Sequence, residues 1–290
     1  MSPDETSVCI SGRCKNGQDV IIHVDCASHV YPDGTVGIHD MCFSVCRGEI
    51  VALYGANGSG KSTLMEHLNG LMTPSAGSVY VMGKPCSEIK KTVWRHVGLV
   101  FQRPDDQLFA PTVLDDVMFG PVNLGMGKEE ARAAAQEALE LVGAAGLAGK
   151  TPNYLSGGEK RLVAIAGVLV MKPAVICMDE PTADLDGFHR LRIEELILRL
   201  RNAHGVSLVI ATHDADMAAR IADRVCIVHR GSIIAEGPPG DIFYDRDALL
   251  RAGLSPPEVV DIYLKYCDRK GVVPAERPVT TSQLLNAIAR

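Results

Sequence analysis

Three things are missing from this 290-residue sequence: a surplus of positive charge, a long hydrophobic run, and any paired cysteine spacing. The formal net charge is -6 and the pI about 5.8, so nothing global draws the chain to nucleic acid. Its longest apolar stretch, Leu162 to Met171, is stopped by Lys172 and Pro173 and is too short to span a bilayer. The opening residues MSPDETS carry neither a basic region nor an apolar core, so a cytoplasmic protein is expected rather than a secreted one. Nine cysteines, an odd number, then read as small buried hydrophobes rather than a disulfide set. Five fall early, at Cys9, Cys14, Cys26, Cys42 and Cys46, with His23, His29 and His39 among them. A metal site there is the competing reading, but no CxxC pairing occurs and several of these residues alternate with apolar ones as strand positions do. No internal repeat of roughly 20 to 50 residues is present. With 47% hydrophobic and 22% charged residues the chain can bury a full core, as one large domain or one plus an appendage.

What is present centres on GANGSGKS, Gly55 to Ser62. An apolar run, Ile50 to Tyr54, precedes it, and Thr63 to Leu68 follows with helical spacing, which is the strand, loop and helix context that the GxxxxGK[ST] pattern needs. Glycines at 55, 58 and 60 allow a tight turn in which successive N–H groups, from Ala56 through Asn57, Ser59 and Ser62, point inward at the positive end of the following helix. That geometry holds a polyphosphate. Lys61 would reach the β and γ phosphates, and Ser62 would offer a hydroxyl to Mg2+. By chance the bare pattern arises on the order of once in a hundred chains of this length.

Upstream, residues 7 to 31 and 36 to 53 read as strands, with turns at Arg13 to Gln18 and Tyr31 to Thr35. Tyr31, at the lip of its turn, is either a strand-end aromatic or a platform for a flat heterocycle. Downstream, the helix after the glycine loop stops at Asn69-Gly70, Gly77 to Gly83 is a short strand, and Val97 to Phe101 is another that delivers Gln102. Gln102 is either an ordinary loop residue or an amide that bonds Mg2+-bound water. Residues 112 to 149 read as helical. LSGGEKR, Leu155 to Arg161, then leads into a helix over Lys160 to Met171, so Ser156, Gly157, Gly158 and Glu159 form a second helix N-terminus suited to anions. One nucleotide rarely needs two such cradles from one chain.

A buried strand, Ala174 to Met178, runs into Asp179-Glu180, where Asp179 suits Mg2+ and Glu180 suits activation of an attacking water. A helix over Phe188 to Asn202 follows, then a strand from Val206 to Ala211 that ends at His213; charge at strand ends is where open α/β sheets put ligands. Val225 to His229 and Ser232 to Glu236 make a hairpin. Beyond Gly240 the pattern changes to short helical pieces, Asp241 to Gly253 and Pro256 to Cys267, and a tail from Gly271 to Arg290.

GANGSGKS, Gln102, LSGGE, Asp179-Glu180, Ala183-Asp184-Leu185-Asp186 and His213 stand in the order found in ATPase subunits of ABC transporters, which residues 7 to 240 resemble. The resemblance implies an α/β P-loop NTPase core with an antiparallel β subdomain and a helical signature subdomain at about residues 102–160. It divides the chain into an ATP-binding domain, residues 1–240, and a C-terminal helical extension, residues 241–290. It further implies that two subunits, alike or different, meet head to tail, so that LSGGE of one covers ATP seated on Lys61 of the other. Tyr31 would stack on adenine. Ser62, Gln102 and Asp179 would organise Mg2+; Lys61, Glu180 and His213 would serve hydrolysis, and Thr63 would help bind the phosphates. The segment FQRPDDQLFAPTVLDDVMFGPVNLG, Phe101 to Gly125, is most similar to energy-coupling-factor ATPases of cobalt and nickel uptake, and vitamin-uptake ATPases have a similar one. Such a subunit would sit on the cytoplasmic face of the cell membrane with an integral membrane transport subunit and a substrate-capture subunit, and without nucleic acid. Leu108, Phe109, Val113 and Leu114 form an apolar patch that either packs the helical lobe or receives a helix of the membrane partner. The sequence departs from the family pattern slightly, at Arg103 and Ala183. The alternative, a soluble ABC ATPase acting on DNA or ribosomes, tends to carry a long coiled coil, a second ATPase half or a basic face, whereas here one compact segment joins Ser62 to Ser156 and the charge is acidic. A P-loop kinase would have no use for LSGGE.

Overall fold

The structure, a computed structural model, describes residues 19–289. The expected strand and turn over 7–18, with Cys9 and Cys14, lie outside the described residues. Among the described residues no group of three or more His, Cys, Asp or Glu side chains is placed to hold a metal ion.

Alternating apolar residues form β1 (Val20–Val30) and β2 (Val36–Cys46), paired antiparallel. They are joined by a turn in which Tyr31 N donates to Thr35 O at 2.8 Å and Thr35 N to Asp33 Oδ1 at 2.9 Å. With β4 (Ala76–Val81) and β5 (Lys84–Pro85) they make a four-stranded sheet in the order β2-β1-β4-β5. The second sheet holds β3 (Ile50–Tyr54), β6 (Val97–Val100), β7 (Val175–Asp179), β8 (Ser207–Thr212), β9 (Arg224–His229) and β10 (Ser232–Gly237), ordered β10-β9-β3-β8-β7-β6. All neighbours in it are parallel except the β9–β10 hairpin. Its strands read as unbroken apolar runs because both faces are covered. The pairings Tyr54↔Thr212 and Asp179↔Ala211 bring the carboxyl ends of β3, β8 and β7 level, so the loops that follow them open on one edge.

Helix α1 (Lys61–Asn69) ends on Gly70 in the left-handed region, φ 79°, as expected for a glycine stop. The expected helical stretch 112–149 holds two α-helices, α2 (Val113–Asn123) and α3 (Lys128–Leu141), separated at Gly125 with φ 86°. Signature helix α4 spans Gly157–Leu169 and so starts three residues before the expected Lys160, because Ser156 takes the N-cap. Asp186 likewise caps α5 (Gly187–His204). Of the expected apolar patch, Leu108 and Val113 are core residues of the helical lobe, 8% and 0% exposed, and only Phe109 stands out at 66%. The 3.6-residue period places Val113 on the inward face with Val117, which the run of apolar letters alone does not separate.

Past α6 (Ala215–Ile221) and the hairpin come α7 (Pro239–Ile242), α8 (Arg246–Ala252), α9 (Glu258–Lys270) and α10 (Thr281–Ile288). The tail thus contains a helix that its sequence left unassigned, begun by a Thr280–Gln283 capping box. Ile242, Phe243, Leu249 and Val260 share one buried cluster with Ala52, Tyr54, Val225 and Ile227, so the extension packs on the strands that carry the glycine loop. Tyr54, the residue before Gly55, meets the Phe243 ring edge-on at 5.6 Å and donates its hydroxyl to Ser255 O at 2.7 Å. Burial first, then the charge of Asp214, pushes its phenol up to about 12. A raised folded-state value means that the folded chain keeps a proton the unfolded chain has already lost. Stability should therefore fall as pH rises from about 10 toward 12. Tyr54→Phe should flatten that slope relative to the parent chain in denaturant titrations across this range, and equal slopes would place the alkaline sensitivity elsewhere.

Candidate active site

Gly55 can be nothing larger, since a Cβ there would lie 2.5 Å from Val228 O and 2.6 Å from Ser59 Oγ. Gly60 has φ 107°, and its Cβ would meet Gly37 O at 2.6 Å. Between them Ala56, Asn57 and Gly58 are exposed at the crest of the loop, while Ser59 is buried and its N–H donates to Ala56 O at 3.2 Å. Lys61 is 5% exposed and folds back over its own loop, donating to Gly55 O at 2.7 Å and Ala56 O at 3.0 Å. Burial lowers its pKa from the ordinary lysine value, against the fields of Glu180 and Asp179.

At the end of β7 the Ser62 hydroxyl donates to Asp179 Oδ2 at 2.6 Å. Burial pushes the Asp179 carboxyl up, and the Ser62 hydrogen bond and the charges of Lys61 and Arg161 pull it back. A hydroxyl and a half-desolvated carboxylate facing each other form a hard oxygen donor pair that fits Mg2+. Glu180, next in sequence, has φ 45°, an uncommon and strained value for a glutamate. It is 5% exposed, accepts from His213 Nδ1 at 2.8 Å, and lies 3.4 Å from the Thr212 hydroxyl. The turn thus sends two adjacent carboxylates to different partners: Asp179 to the glycine loop, Glu180 to the end of β8.

Gln102 is exposed beyond the end of β6 and makes none of the hydrogen bonds that join these residues. Its neighbour is the held one: Phe101 N donates to Gln107 Oε1 at 3.2 Å, and Arg161 Nη1 donates to Phe101 O at 2.8 Å. Gln107 Nε2 in turn donates to Ala164 O at 3.1 Å, so helix α4 grips this connection from both sides. Sequence reasoning missed Arg161 and Gln107. The available signal for Arg161 was a charged residue opening an otherwise apolar helical run; it is 4% exposed, and burial lowers its guanidinium pKa against the fields of Asp179, Asp184 and Glu180.

Ser156 accepts from Glu159 N at 3.3 Å, and Glu159 accepts from Ser156 N at 2.8 Å, a capping box that leaves Gly157 exposed at the helix start. Glu159 also pairs with Lys150 at 3.8 Å. None of these bonds reaches the glycine loop. Tyr31 lies on the other flank, its hydroxyl 2.9 Å from Thr63 Oγ1 and its ring against His29.

A glycine loop between a parallel strand and a helix, with a hydroxyl–carboxylate pair and a buried acid at the neighbouring strand ends, defines a P-loop nucleoside triphosphatase. The ABC transporter family profile matches residues 38–183. The chain is 45% identical over 257 residues to the energy-coupling factor transporter ATP-binding protein EcfA of Methanocaldococcus jannaschii, covering 88% of this chain and 91% of that one. EcfA of Methanothermobacter thermautotrophicus is 44% identical over 238 residues, 81% of this chain and 76% of its own length. Among solved structures, cbiO1 of Clostridium perfringens, described as part of the ABC transporter complex cbiONQ, superposes with a TM-score of 0.73 at 35% identity over 88% of this chain and 99% of its own. A dimeric ATP-binding cassette in a post-hydrolysis state with ADP and Pi superposes at 0.68 and 28% identity over 76% of this chain and 99% of its own. The chain belongs to the ATP-binding subunits of ABC transporters, of the energy-coupling-factor type, and is an ATPase.

A residue that no motif pointed to, Gly37 on β2, bounds the Tyr31 ring: a Cβ there would lie 2.8 Å from that ring and 2.9 Å from the Thr63 methyl. Gly37→Val should displace both groups, an overpacking cost of about 1–3 kcal/mol. It should appear in calorimetry as weaker ADP affinity; unchanged affinity would separate Tyr31 from the nucleotide site.

Proposed function

We propose that this chain is the ATP-hydrolysing subunit of an energy-coupling-factor importer for cobalt or nickel ions, acting as a dimer, homomeric or heteromeric, on the cytoplasmic face of a membrane partner. The observation that carries the reading is the pair of separated half-sites: the Lys61 loop, closed by Lys61 on its own carbonyls, and the Ser156–Gly158 helix start, closed by a capping box, share no bond within one chain. Head-to-tail pairing of two copies would complete each. The dimeric ATP-binding cassette among the structural relatives supports such pairing, and cbiO1, part of a transporter complex, supports the coupling to a membrane subunit. No helix among the described residues is long and apolar enough to cross a membrane. Attachment would therefore run through the partner.

In this reading Lys61 leaves the Gly55 and Ala56 carbonyls for the β and γ phosphates, which the loop's N–H groups stabilise. Tyr31 swings over adenine while Thr63 takes its place among the phosphate contacts. Ser62 and Asp179 would hold Mg2+, which shields the charge of the transferring phosphoryl group. Gln102 joins them only if its exposed loop closes on the nucleotide. Glu180 polarises the attacking water, and His213, now bonded to Glu180, turns to the γ-phosphate.

Phe109 and Phe119 stand edge to face at 4.8 Å and are 66% and 50% exposed. They border a groove of about 390 Å³ that also takes in Leu71, Trp94, Val168 and Met171. We assign this groove to a helix of the membrane partner.

Glu180→Gln should keep ATP binding and lose turnover by a factor of about 100 to 10,000; undiminished turnover would remove Glu180 from the base role. Phe109→Glu should abolish uptake of labelled cobalt or nickel in cells carrying the whole transporter while the isolated subunit still hydrolyses ATP. Intact uptake would move the docking surface elsewhere, and vitamin uptake in place of metal uptake would overturn the substrate.

A further inference from the structure

His189 lies in the first turn of α5, three residues past the Ala183–Asp186 motif and outside every motif itself, and its ring rests on the signature helix. A Cβ built on Gly158 would lie 2.3 Å from His189 Cδ2 and 2.5 Å from Cγ, so the imidazole edge occupies the space beside Gly158 that a side chain would need. The ring is aimed by Asp186: His189 N donates to Oδ1 at 2.9 Å and His189 Nδ1 to Oδ2 at 2.7 Å. Asp186 thereby caps α5 and orients the imidazole with the same carboxylate. The following residue ties the same turn to the other half-site. Arg190 Nη1 donates to Asp214 Oδ2 at 3.3 Å, and Asp214 adjoins His213, which holds Glu180. One helical turn therefore touches both the signature helix and the end of β8 that supports the hydrolytic carboxylate.

We infer that His189 is a positioning residue: its ring, held by Asp186, sets Ser156, Gly157 and Gly158 at the distance from the hydrolytic centre at which they close over nucleotide bound by a second copy. This rests on the head-to-tail dimer of the proposed function. The contact is steric at Gly158 and polar only at Asp186. Ring volume, rather than the imidazole nitrogens, sets the signature helix. The chain's own glycine loop lies outside these contacts, so nucleotide affinity of the monomer is independent of them.

The test compares His189→Ala and His189→Phe with the parent. MgATP turnover is measured at saturating nucleotide and high protein concentration, ATP affinity on dilute protein, and MgATP-driven dimerisation by sedimentation in the Glu180→Gln background. His189→Ala should lower turnover and dimerisation about tenfold with monomer ATP affinity within about twofold of the parent. His189→Phe, which keeps a ring against Gly158 and loses only the Asp186 tether, should recover most of both. Parent-like turnover in His189→Ala would overturn the assignment. So would a parallel loss of monomer affinity, which marks general damage, or a His189→Phe no better than His189→Ala, which marks a nitrogen acting on the nucleotide. A Glu180→Gln parent that never dimerises with MgATP would instead sink the dimer reading, and this inference with it.

Discussion

The Ser62 hydroxyl donates to Asp179 across 2.6 Å although 117 residues separate them, and the sheet makes that bond possible. β3 and β7 do not touch; both pair with β8, in registers that bring their carboxyl ends level. Glycine loop, paired carboxylates and His213 then leave the sheet at one edge. Shifting any of the three strands by one residue would swap the faces its side chains take and move its last residue out of line, so the pairing register of these strands fixes the site.

Charge balance within that edge follows from burial. Lys61 and Arg161 are 5% and 4% exposed, and Glu180 is 5% exposed; each would be costly alone. Together with Asp179 they compensate one another, which is why burial and opposite fields pull in contrary directions on Lys61, Arg161 and Asp179. Lys61 is held by two carbonyls that incoming phosphate oxygens would replace at little cost, since ammonium-to-oxygen bonds are exchanged for bonds of the same kind. The strained backbone at Glu180, φ 45°, falls at the turn that follows β7, where the glutamate is held against His213.

Around the edge, the helical lobe is connected by few but specific bonds. Arg161 and Gln107 grip the backbone of Phe101 on the core side, and the capping box of Ser156 and Glu159 finishes the outward end of the same helix. α4 is thus clamped to the nucleotide-side connection at Arg161 and braced by His189 at Gly158. The extension adds a different support, packing Phe243 against Tyr54 directly beneath the glycine loop. It belongs energetically to the strands that carry the site, whatever it does at its exposed face.

The motifs were legible without coordinates because each is local chemistry. Gly55, Gly58 and Gly60 need no distant neighbour to announce a phosphate turn, and the apolar run before Asp179 announces a strand end by itself. The antiparallel strands, the Gly70 stop and the final hairpin were equally local. The sequence was silent where the decisive partner lies outside the local pattern: Gly37 against Thr63, Gln107 on Ala164, His189 on Gly158. It was misleading where a cap set a helix start, as at Ser156, and where apolar letters did not say which side faced inward, as at Val113 and Phe109. Local backbone preference, then, determined what kind of site this chain builds. Only the tertiary packing decided which side chains stand behind it, because contacts such as His189 on Gly158 and Gln107 on Ala164 are set by how helices and loops pack and not by anything adjacent to these residues in the chain.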